Sequence, residues 1–154
     1  MTLEVQRVTA RNAWELDGRP RTPDAPAWVA EVEEFVFGRA FADTVANNVG
    51  VVWLIRLDGE VIGAAASRPH GSLKAELLQA MVILPSRRGH GLGRPVLAAV
   101  VAAVHERSGE DYVVWLVHQD NDPMRSLSAA FTLEDGAVND DDYILFCHEL
   151  IRDM

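Results

Sequence analysis

The chain has 154 residues, 49% of them hydrophobic and 24% charged, which is enough for one folded domain with a buried core. Its net charge of −9, from 14 basic and 23 acidic residues, argues against a nucleic-acid partner, because such proteins carry a basic face. The longest apolar run (96–104) is too short to cross a bilayer, the N-terminus lacks a signal-peptide core, and Cys147 is the single cysteine, so the expectation is a cytoplasmic protein with no membrane partner and no disulfide.

Leu3, Val5 and Val8 open a short strand. Residues 17–26 hold three prolines and a glycine, which preclude a regular element. Trp28, Val32, Phe35 and Val36 then recur at helical spacing, with Glu31, Glu33 and Glu34 between them. A second short helix is expected over 40–45, ended by Asn47, Asn48 and Gly50. Residues 51–57 and 60–67 flank Asp58-Gly59 and read as a hairpin, because the turn needs positive φ. Arg68-Pro69-His70-Gly71 breaks the chain. Residues 73–84 read as a central strand, with 80–84 apolar enough for burial on both faces.

Residues 91–107 form the most regular helical pattern. Pro95 lies in the first turn, Leu97, Val100, Val101 and Val104 share a face, and Gly109 lies past the end. A strand at 112–117 follows. A weaker helix spans 120–133, capped by Asp120 or Asn121, with Pro123 in its first turn. An acidic loop (135–142) leads to a last strand at 143–150. Antiparallel hairpins come first and a βαβ crossover second, so the fold class is α/β with a mixed sheet, and residues 1–154 are expected to form a single domain. Ligands are expected at the carboxyl ends of the two strands the crossover joins.

The chemistry concentrates in Arg87, Arg88, Gly89, His90, Gly91, Leu92, Gly93 and Arg94, between the central strand and the main helix. A helix start presents amides without intrahelical partners, and its dipole favours an anion. The glycines remove side chains that would hold a phosphate away, and guanidinium groups bind phosphate oxygens. A tight turn that merely needs glycines is the plain alternative. Walker-type and dinucleotide-binding glycine patterns are absent.

Arg88, Gly91 and Gly93 fit Arg/Gln-x-x-Gly-x-Gly/Ala, and on this loop, over residues 51–121, the chain resembles the GNAT N-acetyltransferase superfamily. The resemblance implies a central mixed sheet of six to seven strands flanked by about four helices. It also implies acetyl-coenzyme A as cofactor, with the loop amides from Arg88 to Gly93 on its pyrophosphate. The backbone of Met81, Val82 and Ile83, on a strand splayed by a bulge, would hold the pantetheine arm and polarise the acyl carbonyl. Asn121 matches an Asn that contacts the cofactor at the start of the next helix; a helix cap is the plain alternative.

The chain departs from the family pattern at Ser128, where a Tyr commonly protonates the leaving thiolate, and at Thr132-Leu133 in place of Gly-Phe. Tyr143 could supply the hydroxyl instead, or water could, because a free thiol has a pKa of only about 8.5. For a general base, Glu76 lies on the central strand where the family often has Glu; Gln79 cannot act as one, and His118 and Asp120 are rivals. Period-2 alternation would put Glu76, Leu78, Ala80 and Val82 on one face unless a bulge intervenes. Trp28, Phe35, Phe37, Phe41 and Trp53 are candidates for an acceptor pocket or for plain core. Cys147 reads as core, and the five His show no metal-ligand spacing, so no metal is expected.

The resulting expectation is an N-acetyltransferase that acts directly on a primary amine of a small molecule or peptide. The acidic composition is compatible with a cationic acceptor. The alternative is a non-catalytic acyl-coenzyme A sensor, which Ser128 favours. A homodimer is left open.

Overall fold

The hairpin is the simplest element to account for. Asp58 and Gly59 adopt φ of 51° and 86°, both left-handed, which matches the twist of the strands they join. Those strands are β2 (Val51–Leu57) and β3 (Glu60–Pro69). They belong to a six-stranded sheet with β1 (Leu3–Arg7), β4 (Ala75–Ile83), β5 (Tyr112–His118) and β6 (Tyr143–Glu149), arranged in chain order from β1 to β6. Every neighbouring pair is antiparallel except β4 and β5, which the crossover makes parallel.

The computed structural model describes residues 2–9, 11–16, 19, 21–37, 50–70, 75–131 and 142–150. Among these are three α-helices: α1 (Ala27–Phe37), α2 (Gly93–Ser108) and α3 (Asp122–Phe131). The helix expected over 40–45 lies outside the described residues, so the helix count here is lower than the resemblance implied. No described helix is long and apolar enough to cross a membrane.

The sheet has a core on each face. Val96, Leu97, Val100, Val101 and Val104 of α2 bury against Trp53, Ile55, Ile62, Leu78, Val113 and Trp115, and Met124, Leu127 and Phe131 of α3 join this side. On the opposite face Val52, Leu54, Ala64, Ala80, Val82 and Leu84 pack with Leu16, and Val32 of α1 covers them. Trp53 is therefore core, with its Nε1 donating to Ser67 Oγ at 3.1 Å, and does not line an acceptor pocket.

Two expectations are corrected. Residues 80–84 are not buried on both faces: Ala80, Val82 and Leu84 are buried, while Met81 and Ile83 are half-buried. Cys147 is exposed, as is Leu145 (43%), because the face of β6 that meets α2 and α3 carries Ile144 and Phe146 instead. Gly63 is required by close approach. A β-carbon there would sit 2.3 Å from the Val82 carbonyl oxygen, so only glycine lets β3 lie this near β4.

Candidate functional site

The parallel pair is the weak point of the sheet. β4 and β5 pair from Ala75↔Tyr112 to Leu78↔Trp115 and then part, while β5 stays paired with β6 as far as His118↔Tyr143. The cause is a bulge. Ala66 faces Ala80 and Ser67 faces Leu78, which leaves Gln79 as the extra residue on β4. Beyond it the pleat inverts. Leu78 belongs to the α2 face, whereas Ala80 and Val82 belong to the α1 face.

The free edge of β4 can be read residue by residue. The Leu84 amide donates to Ile62 O at 2.8 Å, so Leu84 and, two residues back, Val82 direct their main chain to β3. Met81 and Ile83 alternate with them and direct theirs into the gap. Of the three residues expected to hold an acyl arm by main-chain bonds, these two face the opening. The Ile83 carbonyl already accepts from Arg88 Nε at 2.9 Å.

The loop leaves β4 through a 3-10 turn at Pro85–Arg87, and Gly89 and Gly91 follow in the left-handed region, with φ of 80° and 70°. Buried Leu92 anchors the far end. No side chain caps the α2 amides at Gly93, and the segment from Arg88 to Gly91 is exposed. Uncapped amides at the N-terminus of a 16-residue helix, reached by a glycine loop, fit a phosphate group. The arginines are placed differently from one another. Arg87 is ion-paired with Glu60, and Arg88 Nη1 donates to Thr22 Oγ1 at 2.5 Å. Arg94 is exposed and His90 is exposed beside the glycines.

Asn121 is a helix cap: its Oδ1 accepts the Met124 amide at 3.3 Å, just ahead of α3. Ser128, expected at the position of a proton donor, is fully buried on α3 and accepts from Trp115 Nε1 at 2.9 Å. Glu76 is also buried, on the half of β4 that stays paired with β5. Burial is the main cause that raises its pKa, Arg107 lowers it, and Glu110 raises it. It lies about 16 Å down the strand from Met81, five residues at the usual rise, on the α2 face. Glu76 thus lies on the paired side of the bulge, whereas Met81 and Ile83 lie on the open side.

Tyr143 does stand at the gap mouth, opposite His118, and the two rings meet edge to face at 5.2 Å. Trp28 of α1 lies flat on the other partner, with Trp28 and His118 centroids 4.8 Å apart and planes 3° apart. His118 Nδ1 accepts the Asp120 amide at 3.1 Å, so in the neutral ring the proton sits on Nε2. A pocket of about 180 Å³ opens between α1 and the bulge, lined by Glu31, Val32, Gln79 and Ala80. Sequence reasoning missed Glu31, Thr22 and the Trp28–His118 stack. The stacked residues are ninety positions apart with no motif to join them. The side chains of Phe35 and Phe37 and all of Phe41 lie outside the described residues. Among the described residues no group of three or more His, Cys, Asp or Glu could hold a metal ion.

The acetyltransferase (GNAT) family model matches residues 11–131. A mycothiol acetyltransferase of Clavibacter michiganensis subsp. michiganensis is 34% identical over 125 residues, which is 80% of this chain and 36% of that protein. The chain thus spans little more than a third of the length of this relative. The structure resembles the PaiA N-acetyltransferase of Thermoplasma acidophilum in complex with coenzyme A (TM-score 0.72, 11% identity, 97% of this chain and 100% of the other). It also resembles a GNAT family acetyltransferase of Elizabethkingia anophelis with acetyl-CoA bound (TM-score 0.63, 14% identity, 96% and 98%). At these identities the two structures speak to the fold.

Proposed function

Because the chain belongs to the GNAT family of acetyltransferases, we propose that it transfers an acetyl group from acetyl-coenzyme A directly to a primary amine of a small molecule or peptide, with no covalent enzyme intermediate. The single observation that carries this reading is the uncapped α2 N-terminus, with its two left-handed glycines, at the open end of a parted parallel strand pair. When bound, the cofactor supplies the activated thioester; the protein supplies position and polarity.

The amides from Arg88 to Gly93 would take the pyrophosphate. Arg94 is the loop arginine in the best position to add charge, since Arg87 and Arg88 are engaged with Glu60, Thr22 and Ile83. The amides and carbonyls of Met81 and Ile83 would hold the acyl arm. Val82 supports them by keeping β4 on β3. Asn121 would act from its cap position.

Acceptor binding we assign to the pocket between α1 and the bulge, where Glu31 offers a carboxylate to a cationic amine. Trp28, on the same helix as Glu31, stacks on His118 of β5. Proton delivery on the leaving side we assign to Tyr143 Oη, since Ser128 is committed to Trp115. A second reading, a binding module without turnover, draws on that same commitment of Ser128.

The test mixes the protein with acetyl-coenzyme A and a panel of primary amines and follows free thiol. Thiol release with at least one amine is expected. Tight coenzyme A binding with no release for any amine would favour the binding module. In parallel, Gly91→Glu places a bulky anion at a left-handed position of the loop, and calorimetry should show coenzyme A affinity falling by ~100-fold or more while the fold persists. Retained affinity would remove the loop from the site.

A further inference from the structure

The open half of the β4–β5 pair has no strand-to-strand pairing to fix its width. A chain of contacts nevertheless runs from one strand to the other around its mouth. On the β4 side, the Ile83 carbonyl accepts from Arg88 Nε at 2.9 Å, and the same guanidinium donates through Nη1 to Thr22 Oγ1 at 2.5 Å. The Thr22 amide donates to both carboxylate oxygens of Glu33, at 2.9 and 3.3 Å. Glu33 belongs to α1 and is 1% exposed. From the first turn of α1, Trp28 crosses to β5 and stacks on His118 at 4.8 Å.

We infer that this circuit, Ile83–Arg88–Thr22–Glu33–Trp28–His118, is a brace that sets the width of the gap, and that Thr22 is a positioning residue for the donor thioester. Three features support it. A guanidinium is a rigid planar fork, so Arg88 holds Ile83 and Thr22 at a set separation. Glu33 is a carboxylate buried to a degree rarely seen without a fixed partner, and its partner is the Thr22 amide. Trp28 and Glu33 sit on one helix, so a shift at either end of α1 is felt at the other. The gap width matters because a misplacement of about 1 Å costs on the order of 100-fold in rate. The inference rests on the reading that the gap receives the acyl arm.

Thr22→Val keeps the shape and removes the hydroxyl; Thr22→Ser restores the hydroxyl. Acetyl-coenzyme A affinity is measured by calorimetry and kcat by thiol release, alongside thermal midpoints. Thr22→Val should weaken acetyl-coenzyme A by ~10-fold, the scale of one charge-assisted hydrogen bond, with the midpoint almost unmoved. Thr22→Ser should stay within about twofold of the parent. Trp28→Ala should weaken binding similarly, and the double variant should be no worse than the weaker single, because a ring cut once is already open. An unchanged Thr22→Val, a Thr22→Ser as weak as Thr22→Val, or additive losses would overturn the brace. A parent protein that fails to bind acetyl-coenzyme A would overturn the reading of the gap, and the brace with it.

Discussion

Ser128 shows how one hydroxyl can be claimed by structure. Its Oγ is fully buried and satisfies the indole N–H of Trp115, itself a core residue stacked on Phe146. Ser128→Ala should therefore destabilise the fold by about 1–3 kcal/mol, the cost of an orphaned buried donor, in urea unfolding, with turnover per folded molecule unchanged. Glu76 is the converse case. Burial raises its pKa, so ionisation at neutral pH works against folding, and its contribution is fully present only at low pH and lost as pH rises through the raised value. Glu76→Gln should raise stability at pH 7 and leave kcat as it was. A large drop in kcat would restore Glu76 as the base. The sequence placed both residues on the right elements. What it could not show was which neighbour each side chain meets, because Trp115 and Arg107 come to them only through packing.

At the scale of elements, the bulge at Gln79 matters most. It inverts the pleat of β4, so that Leu78 and Ala80 lie on opposite faces. It also coincides with the last β4–β5 pair. A period-2 pattern carries no mark of where such an insertion falls, and the alternation that would join Glu76 to Val82 held only without a bulge. The far end of α2 offers a second element-level contact. His105 Nδ1 meets the Glu110 carbonyl at 3.0 Å and so carries its proton there, which leaves Nε2 to accept from His148 Nδ1, also at 3.0 Å, on β6. Burial first and His105 second lower the pKa of His148. Its folded pKa is depressed, so this contribution is complete above the unfolded value of about 6.5 and is lost as pH falls through the folded one. Stability in urea unfolding should be flat from pH 8 to about 7 and decline toward pH 5. His148→Gln should flatten that slope.

At the scale of the whole molecule, the sheet has a fully paired half and an open half where β4 and β5 part. α2 and α3 cover one face, with the glycine loop entering α2 at the open end; α1 covers the other face and reaches both strands. The succession of elements along the chain, the hairpin, the crossover and the glycine loop were all legible in the sequence. Each depends on residues close together in the chain: a left-handed pair at Asp58-Gly59, alternating apolar residues, and a helix start after glycines. The contacts that α1 and the segment before it make were not legible. Thr22 meets Arg88 across 66 positions and Trp28 meets His118 across ninety. Local signals therefore determined the elements, their order and the place of the glycine loop. Only the tertiary structure decided which groups face the gap. Side-chain partners are chosen by how sheet and helices pack, and a single bulge changes that choice without altering the composition around it.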